Sequence, residues 1–220
     1  MKHLAAPLLA AAAALFAQDV RVPIENGKVK VVKVTQAPHV KTSLHKHSMN
    51  RVMIYLQPGK QKFDYEGAKP VTVEWKAGQA LWSPAAGMHI AEIVSGNPVT
   101  IVELELKNTG SKEKVKGAAT DPLAIDPKHY RVEFENDQVR VIRVKIGPKE
   151  SVPMHEHSLD RVVVYLTGQD FKITGAEGKE TMAKHAAGRR GLQRARPTQG
   201  RKPQRQAVRD PGDRTQGVIE

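Results

Sequence analysis

The sequence predicts an all-β chain built from two tandem copies of one unit, the second copy cut short. Three observations carry this prediction: an internal match at an offset of 110 residues, apolar runs with a period of two, and Pro and Gly breaks between those runs. RVPIENGKVKVVKVTQAP (21–38) lies over RVEFENDQVRVIRVKIGP (131–148), and HKHSMNRVMIYL (45–56) over HEHSLDRVVVYL (155–166). The match runs without a gap from Arg21 to Gly78, which falls on Gly188.

Residues 1–17 have the make-up of a secretory signal peptide. Lys2 and His3 precede an apolar stretch that is too short to span a bilayer comfortably, and polar Gln18 and Asp19 follow it. A periplasmic or secreted protein, with no stable membrane span after cleavage, is the expectation. The first unit covers 20–107. Within it VKVVKV alternates apolar and basic residues as a half-buried strand does, and RVMIYL, VTVEW and VTIVELEL are strand-forming runs. A polar stretch, 108–129, reads as a linker, and the partial second unit covers 130–188.

From residue 189 the alternation stops, and the last 32 positions hold nine basic and three acidic residues. Half of the net charge of +12 therefore sits in this tail. A basic arm for nucleic acid and a plain disordered tail are two readings. A shifted reading frame is the third: with suitable codons it yields a segment resembling residues 89–107, with a histidine spanning Thr198 and Gln199. On that reading 189–220 is a disordered, out-of-frame ending and nucleic acid is not an expected partner. The second unit then lacks its closing strands, and its open edges would pair with another copy or aggregate.

No cysteine is present, so a metal would be held by His, Asp or Glu. Residues i and i+2 of a strand project to one face, so His45 and His47 aim two imidazoles at one point, as do His155 and His157. A site that has lost its metal, leaving hydrogen-bonded histidines, is the alternative. The HxH strand, the RVMIYL strand and GQALWSPAAGMHIAE (78–92), with Gly78, Pro84, Gly87 and His89 in order, resemble the cupins. The resemblance implies two tandem jelly-roll β-barrels, the second incomplete. It also implies a divalent ion (Fe, Mn, Ni, Zn or Cu) on His45, His47 and His89, with His155 and His157 left as an incomplete second set.

Cupins usually place a glutamate ligand four residues after the second His. Here that position is Arg51, and Arg161 in the second copy. A guanidinium has no lone pair to donate. Arg51 either faces the cavity and meets an anionic ligand or lies at the surface where a strand starts, and Tyr55 and Trp82 are further candidates for pocket lining. The expected function is metal-dependent chemistry of oxygenase or isomerase type on a small molecule. The alternative is a non-catalytic module for an anionic or sugar-like ligand.

Overall fold

The structure, a computed structural model, describes residues 18–111, 118–188, 190–193, 204–208 and 214–219. The expected signal peptide lies outside the described residues. The first repeat runs β1 (Gln18–Glu25), β2 (Val29–Gln36), β3 (His45–His47), β4 (Arg51–Tyr55), β5 (Gly59–Tyr65), β6 (Val71–Trp75), β7 (Ala80–Ser83), β8 (Ala86–Ile93) and β9 (Val99–Leu106). A short helix, α1 (Pro122–Ile125), follows. The second repeat runs β10 (Tyr130–Glu135), β11 (Arg140–Ile146), β12 (Ser151–His155), β13 (Arg161–Tyr165), β14 (Gln169–Thr174), β15 (Glu180–His185), β16 (Arg190–Gln193), β17 (Gln204–Val208) and β18 (Arg214–Ile219).

Each repeat is a pair of antiparallel sheets. In the first, β1-β2-β9-β4-β7 faces β3-β8-β5-β6; in the second, β10-β11-β18-β13-β16 faces β12-β17-β14-β15. The two orders are the same, strand for strand. Met53, Tyr55, Trp75, Ile93, Val99 and Ile101 fill the first barrel, and Tyr130, Ile142, Val144, Val163, Tyr165 and Phe171 belong to the core of the second.

The five-stranded sheets pack back to back. Val31, Val52, Ile54 and Leu104 of the first repeat join Val141, Val162 and Val164 of the second in one buried cluster. This explains why every residue of RVMIY is buried: Val52 and Ile54 face the other repeat, while Met53 and Tyr55 face their own barrel. A strand covered on both faces reads as an unbroken apolar run. Burying each such side chain contributes about 1.5–3 kcal/mol relative to exposure.

The contact between repeats is pseudo-twofold. Gly78 and Gly188 both turn with φ +74, and a Cβ on either would lie 3.0–3.1 Å from a leucine of the other repeat, Leu166 and Leu56 respectively. Lys28 and Asp160 add an ion pair across the same junction at 2.8 Å.

Within 108–129, expected as a linker, α1 is capped by Asp121, whose carboxylate accepts from Leu123 N at 2.9 Å, and Pro122 opens its first turn. Leu123 packs on the second core, and the His129 ring reaches Asp126 at 2.8 Å and Glu150 at 3.2 Å.

The tail corrects an expectation. Residues 204–208 and 214–219 are strands rather than disorder, and they close both sheets of the second repeat. The unpaired N–H and C=O groups of β11, β12, β13 and β14 offer a template that any extended backbone can satisfy, with or without side-chain alternation. The expected open edges are therefore occupied. The register records the anomaly: Val31 pairs with Leu104, and Val141 with Ile219, so the partner has moved by 115 positions where the preceding strands keep 110.

Candidate metal centre

β3 and β8 are neighbours in the four-stranded sheet, and His45 stands directly opposite His89. Strand alternation turns His45, His47 and His89 inward and leaves Lys46 exposed. One ligand nitrogen from each imidazole lies within 4.8 Å of the others. The ring centroids are 5.0 Å (His45–His47), 4.5 Å (His45–His89) and 5.3 Å (His47–His89) apart. Residues 44 positions apart in the chain thus converge because β8 folds back onto β3.

Two of the rings are fixed from behind. His45 Nδ1 donates to Ser43 O at 2.8 Å and His89 Nδ1 to Gly87 O at 3.0 Å, which places the protons on Nδ1 and leaves the Nε2 lone pairs free for a cation. Phe63 and Tyr65 flank His89 at centroid distances of 5.8 and 5.0 Å. Burial first, then the Arg51 charge, holds His47 down at about 3, and burial likewise lowers His89. Neutral imidazoles are what a metal requires, so the donor set fits a borderline divalent ion.

Arg51 lies inside rather than at the surface, only 5% exposed. Its guanidinium donates to Glu103 Oε2 at 2.9 Å and to Ser83 Oγ at 2.9 Å, while Nε has no partner. Burial holds the Glu103 carboxyl above the usual carboxylate range, and the Arg51 charge offsets only part of that rise. Glu103 thus brings a carboxyl group to Arg51 from β9, not from the position the family pattern suggests. The sequence reading missed it, although VTIVELEL carried a signal: Val99, Ile101, Glu103 and Glu105 share one strand face that turns from apolar to acidic.

Tyr55 is buried and stacks on Trp75 at 3.9 Å, deep in the core. Trp82, expected as pocket lining, instead packs on the cluster between the repeats, because it pairs with Val52 and shares its outward face.

In the second repeat, His155 and His157 keep the same ring spacing, 5.0 Å. The backbone partner of His155 is Gln204 where His45 has His89. His185 stacks on Tyr165 at 4.0 Å, repeating the Tyr55–Trp75 stack and lying outside the metal set.

No family model matches the chain, and no curated protein sequence matches it. Solved structures do. AerE from Microcystis aeruginosa superposes with a TM-score of 0.60 at 13% identity, covering 94% of this chain and 93% of that one. A cupin 2 conserved barrel domain protein from Leptotrichia buccalis gives 0.53 at 13% identity, covering 92% and 88%. Oxalate decarboxylase from Lactobacillus farciminis gives 0.57 at 11% identity, covering 91% and 83%. Likeness along nearly the whole chain, with the same sheet order twice over, means that the protein has the cupin fold in both repeats.

Proposed function

We propose that the first repeat is a mononuclear metal centre in which His45, His47 and His89 hold a divalent ion and the remaining coordination positions take a small oxygen-rich molecule. The convergence of three imidazoles inside the barrel carries this reading. A bound ion would supply Lewis-acid polarisation or an oxygen-binding position. The chain's own residues would do the rest. His45 and His89 orient their lone pairs through backbone carbonyls, Phe63 and Tyr65 wall the site beside His89, and Arg51, held by Glu103, sets a fixed positive charge near it. Oxygenase chemistry draws support from a neighbour of the same fold, salicylate 1,2-dioxygenase, and oxalate decarboxylase is another such neighbour; the isomerase alternative rests on the sequence resemblance alone.

The test is metal content. The purified chain should carry close to one Fe, Mn, Ni, Zn or Cu per first repeat, and His45→Ala with His47→Ala should remove it; a wild-type protein that binds none of these ions overturns the proposal.

A second reading, a non-catalytic module for an anionic or sugar-like ligand, is favoured by the unpartnered Nε of buried Arg51. Ligand binding that survives complete removal of metal would select it. Export, proposed from residues 1–17, is checked by fractionating cells and sequencing the mature N-terminus.

A further inference from the structure

Strand β1 lies almost bare. Only Ile24 within it is even partly buried, and Val20 and Val22 are 53% and 48% exposed. β1 pairs with β2 on one side, and among the described residues no strand takes its other side. The N–H and C=O groups along that side are a template for a further strand. The matched edge of the second repeat is guarded instead. There α1 packs on β10, and Glu133 is held by Arg143 at 2.7 Å. His129, which stands where β1 has Asp19, is buried and tied to Asp126 at 2.8 Å.

The residues of β1 decide which strand fits. In an antiparallel pair, two opposed residues either both turn their backbone groups to the partner strand or both turn them away. Two identical strands therefore pair only with residues of like parity opposite, so that a twofold axis falls on one residue. An axis at Asp19 sets two carboxylates face to face, and one at Arg21 sets two guanidiniums so. An axis at Val22 opposes Asp19 to Glu25 and Arg21 to Pro23, which has no N–H. An axis at Val20 opposes Asp19 to Arg21 on both flanks and places valine against valine on the other face. Opposite charges across a strand pair stabilise it and like charges do the reverse. Arg21 also stands opposite Lys33 of β2, with Asp19 of its own strand at 3.1 Å, so a second carboxylate from the open side balances two cations. The bulge between Arg21 and Ile24 ends the regular stretch just beyond.

We infer that β1 is the contact of a homodimer, in which two copies add edge to edge, antiparallel, with Val20 opposite Val20 of the partner subunit. The pairing is isologous, joins the two five-stranded sheets into one, and covers the exposed valines. It needs no metal, so it stands apart from the first centre.

The test is the mass of the purified chain by sedimentation equilibrium across a dilution series. Wild type should pass from dimer to monomer on dilution, and added salt should weaken the dimer. Asp19→Arg alone and Arg21→Asp alone should each weaken it roughly tenfold or more, because each sets like charges opposite. Both side chains are exposed, so circular dichroism should show the same fold in every variant. Mixing the two single variants should restore the dimer, since each arginine of one chain then faces an aspartate of the other. A chain that is monomeric throughout, a dimer indifferent to both substitutions, or a mixture that stays monomeric overturns the inference.

Discussion

In the first repeat, His45 and His47 meet a third imidazole from β8; in the second, His155 and His157 meet a phenol from β10, while Gln204 takes the strand position opposite His155. The sheets, their order and the spacing of the paired rings are the same in both. The position of Tyr130 shows how little separates the pockets. Its counterpart at the 110-residue offset is Val20, which is 53% exposed at the edge of its sheet. The paired rings of the first repeat are half-buried, whereas His155 and His157 are each 8% exposed. The fold supplies two inward histidines at the same spacing in each repeat, and the group that stands third differs.

Substitutions in matched pairs break or sharpen this comparison. The largest effect is on metal. His89→Ala should remove most of the divalent ion measured by elemental analysis, while His155→Ala with His157→Ala should leave that ion in place.

Next is the ion pair beside the first pocket. Arg51 and Glu103 are both buried, and removing one partner strands the other, so Glu103→Ala should lower unfolding free energy by about 3–5 kcal/mol in denaturant titrations. Arg161→Ala, at the equivalent but less buried position, should lower it by less.

The turn glycines should behave alike. Ala at Gly78 or Gly188 must accept a left-handed backbone and a close leucine, which predicts a loss of about 1–2 kcal/mol from each. A marked inequality would show that the contact between the repeats is less symmetric than its geometry.

The smallest effect is a slope. Burial depresses His47 to about 3 and His155 to about 4 from an ordinary 6.5. The unfolded chain then takes up these protons before the folded one does, so the metal-free protein is fully stable above about pH 6.5 and weakens as pH falls toward 4. His47→Asn and His155→Asn should each flatten that decline, as read from denaturant midpoints across the range.

Much of this was legible in the sequence because a strand has a strict period. HxH fixes two rings on one face, and the offset of 110 locates the second pair and both turn glycines. His89 came from its motif, and contact between β3 and β8 was implied by the family pattern alone. Glu103 was harder to see, since alternating acids on a strand usually mark a solvent face, whereas both faces of β9 are covered. Tyr130 gave no signal because its repeat partner is a valine. Strands β17 and β18 were unreadable in kind: their pairing is made by backbone groups, which no side-chain pattern reports.

The back-to-back packing of the two five-stranded sheets also has a consequence during translation. The outer face of the first repeat is complete at Leu106, but the chain that covers it runs on to Val164. At about 5–20 residues per second, those intervening residues take roughly 3–12 seconds to emerge. For that interval the ribosome displays a bare aliphatic surface that matches its own twin, and neighbouring nascent chains on one message are the copies best placed to meet it.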